Sequence, residues 1–349
     1  MHIKIANKKI GDECPVFIIA EAGINHNGSV KIAKKMIDVA KEVNADCIKF
    51  QTFKAKEFIV DPKVEYTYKS QGEIITEPQI KMFERYEFSD KEWQEVIDYC
   101  KKKKVIFSTT AQNPSDLDFI LSLTDLPFIK VGSDDLTNLG LIDYYAKKKK
   151  PMIISAGMAY ESEINDAVNI IRKAGNNDIV VLHCVSSYPA KPEDTNLRKL
   201  RNINDKFGVI VGFSDHTQGI YACLGAVALG ARVIEKHFTL DKNMSGPDHW
   251  FSADPEEFEK LVEGIRCVEK SLGDPIIKPT LKEMKMRKIA RRSIVAAKNV
   301  EKGKIITMTD VGFKRPGTGL APKFLDNVIS KKAKINIKKG DLITFKNIK

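Results

Sequence analysis

Polar residues able to do chemistry recur at the ends of short apolar runs. Glu21 opens EAGINHNG, and Lys49 and Gln51 stand in KFQTFKA. Ser108 and Thr109 close a third run; Lys130, Ser133 and Asp135 stand in and just after a fourth; Ser155 ends a fifth. His183 leads into SSYPA, Ser214, Asp215 and His216 end GFSDH, and Glu235, Lys236 and His237 form EKH. A core strand has little structural use for such groups, because an unpaired buried charge is costly. Converging on one mouth, they would form a binding site. Lys49 and Lys130 within a ring of hydroxyls suit a small, doubly anionic substrate bearing phosphate and carboxylate. His216 and His237 suit two imidazoles meeting on one divalent transition metal, although a single histidine is more often just hydrogen-bonded. His183 and His249 are weaker candidates, and His2 reads as a surface residue.

The elements that must position these groups follow from the apolar pattern. Runs at 16–20, 47–50, 105–108, 128–131, 152–155, 179–182, 209–212 and 232–234 are β-branched or aromatic and about one strand long. Their unbroken apolarity suits a parallel sheet covered on both faces. Helical stripes lie between them, as at 30–43, 91–102, 162–174, 219–229 and 255–272. Alternation of eight such strands with helices predicts an α/β (β/α)8 barrel over residues 1–278, whose chemistry gathers at the C-terminal strand ends. A doubly wound sheet is the competitor, but no G-x-G-x-x-G follows the first strand. The long connection over 52–90 reads as a lid or binding loop. Residues 279–292 read as a charged linker and 293–349 as a small β-rich module, in which KNVEKGKIIT and INIKKGDLIT look like repeated strand pairs.

With 349 residues, 43% hydrophobic and 30% charged, the chain is neither disordered nor fibrous. No uncharged apolar run approaches the roughly 18 residues a membrane helix needs, and the opening MHIKIANKKIGDE has no apolar segment of a secretory signal. Six dispersed cysteines without C-x-x-C spacing read as reduced thiols in a cytoplasmic protein. Residues 281–349 hold 19 Lys and Arg against 5 Asp and Glu, so the excess of basic groups sits in the tail. That tail could bind nucleic acid, an anionic substrate or an acidic partner. Its only aromatics are Phe313, Phe324 and Phe345, which argues against stacking on bases.

At EAGINHNG, KFQTFKA, KVGS, SYPA, GFSDHT, EKHFTLDKNMSGPDH and KRPGTG the chain resembles the sialic acid synthase family, whose members make N-acetylneuraminic, legionaminic or pseudaminic acid. The resemblance runs from about residue 14 to the C-terminus. It implies a TIM barrel followed by a C-terminal antifreeze-like (SAF) domain. It also implies condensation of phosphoenolpyruvate with an open-chain N-acetylhexosamine and water, giving a nine-carbon 2-keto acid and phosphate. N-acetylmannosamine is the expected acceptor, with a legionaminic or pseudaminic acceptor as the alternative. A related synthase that takes a sugar phosphate would need a second basic cluster, which the barrel motifs lack. On matching positions, His216 and His237 would ligate Mn2+, with Mg2+ or Co2+ as substitutes. Lys49, Thr109, Lys130, Ser133, Ser155, Ser186 and Ser214 would hold phosphoenolpyruvate. Glu21 and Asp135 would be the catalytic carboxylates, and Tyr188 and Asp248 acceptor contacts. Asp135 stands where many relatives have Glu, and Ser186 where some have Asn. Arg315 would enter the active site of the partner subunit and grip the N-acetyl oxygen, which implies a homodimer.

Overall fold

The computed structural model describes residues 1–349, which divide into two compact units, Met1–Gly273 and Asp274–Lys349. The first unit begins with an antiparallel hairpin, β1 His2–Ile5 and β2 Lys8–Gly11, and continues into β3 Phe17–Gly23 and β4 Cys47–Thr52. A second hairpin, β5 Glu65–Ser70 and β6 Glu73–Pro78, lies inside the long connection. Then come β7 Ile106–Ala111, β8 Ile129–Val131, β9 Met152–Ser155, β10 Ile179–Cys184, β11 Ile210–Asp215 and β12 Val233–His237. Strands β3, β4 and β7 to β12 pair in parallel and close a barrel in chain order. This is the expected (β/α)8 architecture, with an amphipathic helix after each barrel strand.

Local signals place those helices. Ser29 caps Val30–Glu42 by accepting from the Ile32 amide, and Ala33, Met36, Ile37 and Ala40 form its buried stripe. Ser89 and Glu92 make a reciprocal capping box at the start of Asp90–Lys103.

The barrel strands are buried on both faces, so their two-residue period decides what each side chain meets. Ile18, Ile48, Ile129, Ile154, Val181, Phe213 and Ile234 pack outward into the helical layer. Phe17, Ile19, Phe128, Ile153, Val180, Leu182 and Val233 point inward and fill the lower barrel. Ile3, Ile5 and Ile10 of the first hairpin join that inner cluster, so the hairpin plugs the N-terminal end. Gly212 lets the interior close, since a Cβ there would stand 2.5 Å from both Leu182 Cδ2 and the Val233 carbonyl oxygen.

The second unit holds the helix Leu281–Ala290, in the segment read above as a linker, then β13 Ser293–Ala296 paired with β14 Val311–Lys314. The two similar segments do pair with each other. Val300 and Ile337 exchange backbone hydrogen bonds of 2.9 and 2.8 Å. The Lys302 amide donates to Asn336 Oδ1 at 2.7 Å, and the Lys339 amide to Asn299 Oδ1 at 2.8 Å. Equivalent residues thus exchange equivalent bonds about a local twofold. No helix of either unit is long and apolar enough to cross a membrane.

Replacing the fully buried Ile5 by Ala opens the plug and should cost ~2–5 kcal/mol. Urea unfolding followed by tryptophan fluorescence checks this, because both tryptophans, Trp93 and Trp250, lie in the barrel unit. An unchanged midpoint would mean that the hairpin does not seal the core.

Candidate active site

At the C-terminal mouth the inward-facing positions change from apolar to charged. Strand register sets Glu21 beside Lys49, Lys49 beside Ser108, and Thr110 beside Lys130. Lys49 Nζ lies 2.7 Å from Glu21 Oε2 and 3.7 Å from Glu235 Oε2, and donates to Thr110 Oγ1 at 2.9 Å. Lys130 Nζ donates to Ser155 Oγ at 2.8 Å and to the Val131 carbonyl at 2.9 Å, with Glu235 Oε1 at 3.9 Å. Ser214 Oγ donates to Glu235 Oε1 at 3.1 Å. All four charged side chains are almost wholly buried.

These groups line a cavity of about 680 Å³. Ser133 and Ser186 converge over Gly157, where a Cβ would stand 2.7 and 2.3 Å from their hydroxyl oxygens. Ile24, Phe58, Tyr66, Met82 and Phe83 form an apolar flank, largely from the 52–90 connection. That connection is an ordered hairpin between two short helices. It is tied to the loop after β12 by the Gly246 amide donating to Ser70 Oγ at 3.0 Å and by Gln71 Nε2 donating to the Asn243 carbonyl at 2.9 Å.

Of the residues singled out from the sequence, Glu21, Lys49, Lys130, Ser133, Ser155, Ser186, Tyr188, Ser214, His216, His237 and Asp248 all border this cavity. Two do not. Thr109 faces the helical layer and bonds Thr52 Oγ1 at 2.8 Å, and Thr110 occupies the inward position. Asp134 reaches the cavity, whereas Asp135 bonds Asn138. Asp215 and Lys236 also point away from the mouth and pair with each other. His183 bonds the Thr195 carbonyl outside the barrel and His249 bonds Thr239, so both are structural. Glu235, gripping both lysines, is the group that inspection of strand ends undervalued. Arg315 belongs to the second unit, where it is exposed.

Electrostatics follow from burial and pairing. Burial raises the Glu21 carboxyl to about 7, against the pull of Lys49. Burial opposes ionisation of Glu235, yet Lys130 and Lys49 bring its pKa below the ordinary value. Burial also raises Asp248 to about 7, helped by the charge of Glu21. Burial holds His216 and His237 below the usual histidine range, so both are neutral donors at pH 7. Their ring centres lie 5.4 Å apart, and the Tyr188 ring packs against His216 at 4.2 Å, tilted by 33°.

Comparison with known proteins accords with this geometry. The NeuB family pattern matches residues 36–277 and the SAF domain pattern residues 291–349. The chain belongs to the NeuB family. It is 41% identical to the N,N'-diacetyllegionaminic acid synthase of Campylobacter jejuni, over 93% of this chain and 98% of that protein. It is 36% identical to the human N-acetylneuraminate-9-phosphate synthase, over 96% of this chain and 93% of that protein. The crystal structure of an N-acetylneuraminic acid synthetase from Leptospira borgpetersenii superposes with a TM-score of 0.74 at 35% identity, covering 82% of this chain and 95% of that one. As a NeuB-family protein the chain is an enzyme, a phosphoenolpyruvate-dependent synthase, and its second unit is the family's SAF domain.

Synthases of the NeuB family are generally metal-dependent. No three His, Cys, Asp or Glu side chains form a closed metal cage here. The residues present nonetheless fit an open site. His237 Nδ1 is buried without a hydrogen-bond partner, 3.7 Å from Asp248 Oδ2. His216 Nδ1 lies 2.7 Å from the Val185 carbonyl, a contact that leaves its other nitrogen available as a ligand.

If the inward position is the one that matters, Thr110→Val should raise the KM for phosphoenolpyruvate about tenfold, the loss expected of one hydrogen bond to a charged group. Thr109→Val should leave that KM unchanged. Phosphate-release kinetics on both variants decide it, and equal effects would deny the distinction.

Proposed function

We propose that this enzyme condenses phosphoenolpyruvate with an unphosphorylated, open-chain N-acetylhexosamine and water, releasing phosphate and a nine-carbon 2-keto acid. The observation that carries the reading is the placement of two buried lysines and a set of hydroxyls beside two neutral imidazoles in one cavity. Lys49, Lys130, Ser133, Ser155, Ser186 and Ser214 hold the phosphate and carboxylate of phosphoenolpyruvate, with Thr110 in the position first expected of Thr109. Tyr188 and Asp248 face the acceptor.

Carbon 3 of the enol attacks the sugar aldehyde, forming the new C–C bond and leaving cationic character at carbon 2. Glu21 and Glu235 lie where they can stabilise that charge. Water adds to carbon 2, and the resulting tetrahedral centre expels phosphate. A Glu21 carboxyl near 7 can give a proton to the aldehyde oxygen or take one from that water. Asp135 is assigned no contact with substrate. His216 and His237 hold a divalent cation, Mn2+ in this reading, which supplies Lewis-acid polarisation of the aldehyde when bound.

Lys49 and Lys130 are the only cations lining the cavity, and the flank beyond them is apolar. Both are committed to phosphoenolpyruvate in this reading, so no other cationic side chain of this chain lines the cavity to take an acceptor phosphate. That supports N-acetylmannosamine over a sugar phosphate. The 41% identity to one N,N'-diacetyllegionaminic acid synthase makes a diacetamido sugar the second reading. The enzyme acts in the cytoplasm, where phosphoenolpyruvate is found, as a homodimer whose exposed Arg315 reaches the partner's acceptor. No nucleic acid is needed to account for the basic module.

Phosphate release with phosphoenolpyruvate and a panel of N-acetyl sugars tests this. We expect turnover with a free sugar, none with its 6-phosphate, and loss on chelation that Mn2+ restores. Efficient use of the phosphorylated sugar would overturn the acceptor reading. For the dimer, Arg315→Ala should raise the acceptor KM at least tenfold with that for phosphoenolpyruvate kept; unchanged acceptor kinetics, or a monomer by light scattering, would refute that role.

A further inference from the structure

We propose that the buried Asp215–Lys236 ion pair is a positioning device that sets His216 and His237 relative to each other. This rests on the reading above, that the two imidazoles hold a divalent cation. Asp215 and Lys236 lie opposite each other in register on β11 and β12, and each immediately precedes one of the histidines. Lys236 Nζ lies 2.7 Å from Asp215 Oδ2, with side-chain exposures of 2% and 0%. Both point into the helical layer, away from the cavity.

The pair is tied to both sides of His216. Lys236 Nζ also donates to the Thr217 carbonyl at 2.7 Å. Asp215 Oδ1 accepts from the Thr217 amide at 2.9 Å and from Thr217 Oγ1 at 2.8 Å. Cys223 Sγ donates to Asp215 Oδ2 at 3.1 Å. Residues 215 and 217, flanking one imidazole, are thereby fastened to the residue beside the other. The neighbouring outward positions, Phe213 and Ile234, are apolar and pack well. Filling space therefore does not require a charge here, and burying an ion pair instead of apolar groups is often no more stabilising. What the pair adds is direction: its hydrogen bonds fix the ends of two strands where β pairing stops. Groups that hydrogen-bond a metal ligand directly typically change metal affinity about 10–100-fold when removed, and this pair acts one residue further back, through the strand ends.

The test is Mn2+ binding to the substrate-free enzyme, read by electron paramagnetic resonance of free Mn2+, beside the melting temperature. The double variant Asp215→Asn with Lys236→Met removes both charges together and keeps an acceptor for the Thr217 amide. We expect it to melt within about 4 °C of the parent and to bind Mn2+ about 10–100-fold more weakly. Parental affinity in the folded double variant overturns the inference, whatever its melting temperature. If the double variant does not fold, Thr217→Val, which deletes one hydrogen bond to Asp215, replaces it; a severalfold weaker affinity supports the inference and an unchanged one overturns it. A parent enzyme that binds no Mn2+ would instead remove the metal reading itself, and this inference with it.

Discussion

Two ammonium groups in a protein interior have to be neutralised before any ligand arrives. Lys49 and Lys130 meet that requirement through Glu21 and Glu235, one carboxylate per ammonium, with Glu235 standing between the two. Much of the mouth follows from this balance. Ser155, Ser214 and Thr110 take up some of the donors and acceptors that the ion pairs leave over. If phosphoenolpyruvate binds there as proposed, its phosphate and carboxylate compete with those carboxylates for the lysines. Binding an anion there pushes a neighbouring carboxyl toward its neutral form, and Glu21, already raised to about 7 by burial, is the one poised to take up the proton. On that proposal, substrate capture and preparation of an acid would be one electrostatic event.

The architecture was legible in the sequence because parallel strands buried on both faces must be apolar throughout, and helices covering them must carry a stripe. Most of the residues that line the cavity were legible because charged and hydroxyl groups crowd the ends of the apolar runs. What could not be read was the face. Thr109 and Thr110 are chemically identical, and only the phase of β7 sends one inward. Asp134 and Asp135 differ in the same way. Asp215 and Lys236 sit among site residues in sequence yet satisfy each other on the opposite side of the sheet. A stricter use of the two-residue period, anchored on Lys49 and Lys130, would have sorted several of these.

Other features were hidden for different reasons. The first hairpin is only four residues per strand, too short for periodicity to stand out, and its isoleucines acquire meaning only when the barrel needs a plug. The hairpin in the 52–90 connection is largely polar and exposed, so no apolar signal marks it. The small second unit was the reverse case. Its repeated turn sequences were visible, and the exchange of Asn299 and Asn336 between them shows why the likeness persists: each segment supplies the bond the other needs.

The plug at the lower end has a further effect on traffic. With Ile3, Ile5 and Ile10 stopping one end, the barrel is a blind well with a single opening. Lys49 and Lys130 line the same well as the apolar flank and the imidazoles. Under the proposed function the anionic donor would enter first and the sugar second. The product would then have to leave by the same opening, so exchange through that passage would be a natural slow step of the cycle.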